Sequence, residues 1–244
     1  MKLLFTGLLI TLISGFSFSQ TKVSKTYHVE NGQKIELRFD YPKLIHISSW
    51  DKKEISIDAT VKINDGENDG AFTLNETRAD GKISISNKID MDQIPESYYI
   101  VANGVKTRFN NKKDMESYRK EKAGLNGVST YQQRDIMVTI EIKLPANVSA
   151  DVVSVYGMVE LENVNGPIKI DATYGGIDAS LNQNRIGQIK LTNRYGKIYS
   201  NLELKPTEQT EQNFYTSVTA KPGTGPSYDI SSSYGNIYLR KDIK

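Results

Sequence analysis

The residues able to do acid–base or metal chemistry are few: His28 and His46 are the only histidines among 244 residues, and there is no cysteine. No histidine pair stands at the spacing that holds zinc, and no serine sits on a strand-to-helix elbow. One run has the spacing of a calcium loop. Asp65, Glu67, Asp69 and Glu76 fall at loop positions one, three, five and twelve, with Gly70 at six. Position three is a glutamate, however, and the flanks read as strands, so the run reads first as an acidic turn between strands. Asp171 and Asp178, with Lys190 and Arg194, are the residues a polysaccharide lyase or hydrolase would use, but they do not recur as a set. The expectation is a non-enzymatic protein with no metal and no cofactor.

Tyrosine carries the stronger pattern. Residues 152–159, 170–177, 191–198 and 230–237 superpose without gaps around Tyr156-Gly157, Tyr174-Gly175, Tyr195-Gly196 and Tyr234-Gly235. Each has an aliphatic residue four before the tyrosine and another three after it. The last interval is nearly double the others. A degenerate copy at Tyr215, with Val218 three residues on, would make the spacings 18, 21, 20 and 19. A repeat near twenty residues cannot bury its apolar side alone, and stacking copies does so. The expected fold is therefore all-β: a single-domain β-solenoid of about five coils, each rising about 4.8 Å, preceded by antiparallel N-terminal strands. Val152, Ile170, Leu191 and Ile230 would form one internal ladder, and Val159, Ile177, Ile198 and Ile237 another. Ser154, Ala172, Asn193 and Ser232, two before each tyrosine, are small enough for a tight bend.

Tyr156, Tyr174, Tyr195, Tyr215 and Tyr234 are candidate binding residues, an aromatic strip for sugars or peptides. Rings repeated on neighbouring strands also stabilise one another by about 0.2 to 1 kcal/mol per pair. That structural role comes first.

The elements that must carry these residues are strands. Strict alternation marks Ile35, Leu37, Phe39; then Ile55, Ile57, Ala59, Val61, Ile63; then Ile136, Val138, Ile140, Ile142, Leu144. Asn31-Gly32, Asp65-Gly66, Asp80-Gly81 and Asn126-Gly127 supply turns. Residues 114–123 read instead as a short helix with Gly124 as its stop. The domain 20–244 is thus read as N-terminal strands over 20–90, a basic loop and short-helix insertion over 91–134, and the repeats over 135–244.

Residues 1–19 read as a secretory signal peptide, with Lys2 as its charged start, an apolar run over residues 3–13, and Ser17 and Ser19 before a cut at Gln20. No later segment could span a membrane as a helix. Without cysteine there is neither a disulfide nor a lipidated thiol. Formal charge is +2, far from the basic field of a nucleic-acid binder. Charge is local: residues 64–76 are acidic, and 106–122 hold seven bases against three acids. Arg240, Lys241 and Lys244 close the C-terminal end, which favours a monomer. An outer-membrane barrel would also alternate, but polar residues crowd both faces and no aromatic girdles recur.

The stretch Val138-Thr-Ile-Glu-Ile-Lys-Leu-Pro145, followed by the glycine repeats, resembles the bacterial putative-adhesin family of unknown function. Leu44-Ile-His-Ile-Ser-Ser-Trp50 and Glu54-Ile-Ser-Ile-Asp58 look like that family's opening strands. The family more often has a small residue where this chain has tyrosine. The resemblance implies an exported β-solenoid with no catalytic or ligand residue to carry over. The leading expectation is a secreted cell-envelope binding module, periplasmic or on the surface, that presents a flat side to a glycan or protein partner. The alternatives are a periplasmic accessory or sensor protein that uses the basic insertion, and a polysaccharide-active enzyme.

Overall fold

The computed structural model describes residues 20–242 apart from 123, 125 and 126. The expected signal peptide lies outside them. The chain is all-β, 58% strand with one short helix. In chain order the elements are β1 (Thr21–His28), β2 (Lys34–Phe39), β3 (Leu44–Trp50), β4 (Glu54–Ile63), β5 (Phe72–Ala79), β6 (Lys82–Ile89), β7 (Ser97–Ala102), β8 (Val105–Phe109), α1 (Lys112–Glu121), β9 (Ser129–Gln133) and β10 (Ile136–Pro145). The repeat region follows as β11 (Ala150–Ser154), β12 (Met158–Glu162), β13 (Ile168–Ala172), β14 (Ile177–Leu181), β15 (Gln188–Arg194), β16 (Ile198–Ser200), β17 (Pro206–Gln212), β18 (Tyr215–Ala220), β19 (Ser227–Ser232) and β20 (Ile237–Lys241).

Two mixed, open sheets share one hydrophobic core. The first has the order β1-β4-β10-β3-β12-β14-β20-β16, and the second β17-β18-β15-β19-β13-β11-β2-β6-β5. Alternation decides which residues enter the core. In β4 all of Ile55, Ile57, Ala59, Val61 and Ile63 are buried, as are Val138, Ile140, Ile142 and Leu144 of β10. Each buried aliphatic side chain stabilises the fold by about 1.5–3 kcal/mol relative to exposure.

The Tyr-Gly segments lie side by side as parallel strands, one strand of each segment in either sheet. Leu37, Val152, Ile170, Ile230 and Leu191 are successive partners in one sheet. Ile45, Val159, Ile177, Ile237 and Ile198 are successive partners in the other. The expected inner ladders therefore exist, but their spatial order is not the order of the chain. The segment around Tyr234 sits between those around Tyr174 and Tyr195, because β19 pairs with both β13 and β15, and β20 with both β14 and β16.

Two further expectations are corrected, and one point that the sequence leaves open, whether the strand around Ile237 is an exposed edge, is decided. The N-terminal strands are only partly antiparallel: β1 and β10 flank β4 in that sense, but β2 and β3 run parallel to β11 and β12 and form another level of the same stack. The strand around Ile237 and Leu239 is not an edge; β16 and β17 end the two sheets. Residues 91–134 are not mostly loop. They form the three-stranded antiparallel sheet β8-β7-β9 with α1 packed on it. The helix starts two residues earlier than expected, capped by the Asn111 side chain accepting from Asp114 N.

Candidate functional site

The tyrosines stand at the corner where each segment passes from one sheet to the other. Hydrogen bonding between levels continues through this corner: Tyr174 N donates to Val155 O at 2.9 Å and Tyr234 N to Thr173 O at 3.0 Å. The small residues two before the tyrosines point inward. Ser154, Ala172, Asn193 and Ser232 are all buried. Their polar side chains hold the bend: Ser154 Oγ donates to Tyr156 O at 2.9 Å, and Asn193 Nδ2 to Gly235 O at 2.7 Å. At the first corner Asn87 does the same work, donating to Asp40 O at 3.0 Å and accepting from Asp40 N at 2.8 Å.

With the backbones held in this way, the rings meet face to face. The centroid distances are 5.2 Å for Tyr41–Tyr156, 5.0 Å for Tyr156–Tyr174, 5.1 Å for Tyr174–Tyr234, 5.1 Å for Tyr234–Tyr195 and 5.5 Å for Tyr195–Phe214. Interplanar angles run from 5° to 29°. Four of the five expected tyrosines are in this strip. Tyr215 is not: it opens β18, opposite Arg194, while its neighbour Phe214, at φ 60°, covers Tyr195. Tyr41 was missed. Its signal was Leu37 four residues before it, masked because Pro42-Lys43 replaces the glycine and delays Ile45 by one residue.

All six rings are exposed, from 42% at Tyr156 to 72% at Phe214. Stacking closes the inner ring faces, so a sugar cannot lay its C–H face on them. What the strip offers outward is ring edges and a row of phenolic hydroxyls set by the spacing of the strands.

The other sequence candidates are dispersed. Asp171 lies on β13 and Asp178 on β14, in different sheets, and Asp178 is engaged by Arg240 in a two-pronged pair at 2.7–3.0 Å. Lys190 lies across from Asp229, and Arg194 from Tyr215. The acidic run of 64–76 is likewise spread out. Asp65 pairs with Lys62 at 3.0 Å and Arg108 at 2.9 Å, Glu67 lies 3.6 Å from Arg108, and Glu76 pairs with Arg78. Asp69 is buried and accepts from Ile63 N at 2.7 Å. Among the described residues no three His, Asp or Glu side chains converge as metal ligands. His46 lies 3.6 Å from Glu160 on the neighbouring strand. The basic insertion thus spends Arg108 on the acidic turn, and Lys106 lies 4.0 Å over the Tyr99 ring.

Asp135, where the insertion rejoins β10, accepts hydrogen bonds from Tyr99 Oη and Gln133 Nε2. Burial, then the Asp65 charge, push its pKa up, against the opposing effect of Lys62. The folded chain therefore holds this proton to higher pH than the unfolded chain. Its effect is absent below the ordinary aspartate value and costs stability as pH rises from there through the raised folded value. Urea melts across that window are expected to show this decline in the wild type and not in Asp135→Asn. Equal pH slopes would refute it.

No family model matches the chain, and no curated protein matches it. Two solved structures are similar. A protein described as a putative cell adhesion protein from Clostridium sporogenes aligns over 91% of this chain and 100% of its own, at 11% identity and a TM-score of 0.48. A putative adhesin from Bacteroides fragilis aligns over 91% and 98%, at 11% identity and a TM-score of 0.23. Among the described residues no helix is long and apolar enough to cross a membrane.

Proposed function

We propose that this protein is an exported, non-enzymatic binding module of the cell envelope, a β-solenoid segment whose row of corner rings is the recognition surface. The observation that carries the reading is the in-register strip from Tyr41 to Phe214, exposed along its whole length. Exposed aromatic side chains at this density are an unusual surface for a monomer, and contiguous apolar patches mark interaction sites. The ligand fitting a row of hydroxyls is an extended glycan or protein segment whose polar groups run along the strip, read by hydrogen bonds to the phenolic hydroxyls instead of by stacking.

The test uses residues 20–244 against a glycan array and an immobilised envelope fraction. Serine at positions 156, 174 and 234 removes three central rings and their hydroxyls. Each central ring has two stacking partners, so each replacement costs about 0.4–2 kcal/mol of stability, and circular dichroism verifies that the fold survives. Binding that disappears in the folded variant supports the reading, whereas unchanged binding refutes it. Export has its own check: protease should reach the protein on intact cells if it is surface-bound, and only after the envelope is opened if it is periplasmic.

A further inference from the structure

The two ends of the sheet stack differ. At the N-terminal end, β1 lies against β5: Lys25 Nζ donates to Leu74 O at 3.0 Å and Arg78 Nη2 to His28 O at 2.8 Å. At the C-terminal end the sheets stop at different levels. The first ends at β16, the parallel partner of β20, while the second continues past β15 for two more strands, β18 and β17. Those strands have no counterpart in the first sheet. Between them and β16 lies an open groove of about 870 Å³, with Leu191, Ile198, Leu204 and Val218 among its lining residues and Glu211 on its wall.

Backbone polarity defines what the groove lacks. Lys197 O accepts from Ile237 N at 2.9 Å, and Asn201 N donates to Leu239 O at 3.2 Å. In a parallel ladder the alternate residues, Ile198 and Ser200, then direct their N–H and C=O groups away from β20. No strand pairs with that side among the described residues. β16 is only three residues long, which is one guard of an exposed edge, but the chemical guards are absent. β16 carries no charge and no proline, and the basic residues Arg240 and Lys241 belong to β20, one level inside.

We propose that this groove receives an extended segment of a partner polypeptide, which adds a strand to β16 and seats aliphatic side chains over Leu191 and Val218. The occupant's chemistry follows from the sheet it would continue. Each level inside β16 presents aliphatic residues at alternate positions, Val159 and Leu161, Ile177 and Ala179, Ile237 and Leu239, all buried. Glu211 and Lys197, both lining the groove, have no side-chain hydrogen bond or ion pair among the described residues, so a basic residue of the occupant would pair with Glu211 and an acidic one with Lys197. A second copy docking through the opposite end of its stack fits less well, since the inward side chains of β1 and β5 there, such as Tyr27 and Leu74, are already buried. Tyr195 and Phe214, the last two rings of the aromatic strip, border the groove, but strand addition to β16 uses its backbone and not the rings, so this inference does not depend on the strip's role.

The chain's own β20 has the required pattern, so a synthetic peptide of residues 235–241 is the probe, titrated into residues 20–244 at up to about 1 mM and followed by amide NMR shifts. Saturable shifts at Ile198, Ser200 and Val218 are expected. Ser200→Pro removes an outward N–H and should weaken binding about tenfold or more. Glu211→Lys should weaken it too, and so should N-methylation of the peptide at alternate amides. Both substitutions are at the surface, and retained shifts elsewhere verify folding. No saturable response, or equal binding to Ser200→Pro, overturns the proposal. A dimer through β16 in sedimentation without peptide also overturns it, in favour of a second copy.

Discussion

Deleting residues 227–244 is expected to abolish cooperative folding, although it removes only the last of the repeats. β19 and β20 lie inside both sheets, between β13 and β15 and between β14 and β16. The deletion removes Tyr228, Ile230, Ile237 and Leu239, all buried. Together these side chains contribute about 6–12 kcal/mol, comparable with the whole stability of an ordinary domain, about 5–15 kcal/mol. The loss also parts the segment of Tyr195 from the rest. Urea melts followed by near-ultraviolet circular dichroism should show no transition. Had the repeats stacked in chain order, the same deletion would trim one end and leave a folded remainder. A cooperative transition in the truncated chain would therefore refute the strand order.

That order could not be read from the sequence, and the reason is physical. A repeat specifies which residues are equivalent and which side faces the core, since Ile170, Leu191 and Ile230 all sit four before a tyrosine. Equivalent levels offer one another nearly the same partners, so local pattern does not choose between neighbours. The connection does. Residues after Ser200 turn into the hairpin β17–β18, which pairs antiparallel with β15 and takes the outer position, and β19 is left to enter between β13 and β15. The same hairpin explains Tyr215. Spacing placed a ring near the right level, but in an antiparallel strand the residue at the reversal, Phe214, faces the strip.

Alternation made β4 and β10 legible because each buries one full side, and the repeat made the corner tyrosines legible. The sheet of the insertion was not, because β8 and β9 lie on its surface and bury little. Nor was its anchor. Asn64 is fully buried at φ 47° and donates to Pro95 O at 2.9 Å while accepting from Asp135 N at 3.1 Å, a set of contacts between distant parts of the chain.

Replacing Gly175 by alanine should destabilise the protein by roughly 3 kcal/mol or more, far beyond the cost of an added methyl on a surface. A Cβ on Gly175 would lie 1.5 Å from Gly157 O, and one on Gly235 would lie 2.3 Å from Gly175 O. These are contacts between the backbones of adjacent levels, so no side chain can move aside; the strands themselves must part. Parting them lengthens the hydrogen bonds of Tyr174 and Tyr234 to the levels beside them and opens the ring stack on both sides. Gly70 is the matched control, with nothing within 4 Å of its added Cβ, and Gly70→Ala should shift stability by no more than about 0.5 kcal/mol. If both substitutions prove equally mild in urea melts, the levels do not pack backbone on backbone at the tyrosine corner. The strip of rings would then lose the rigid spacing on which its proposed role as a recognition surface rests.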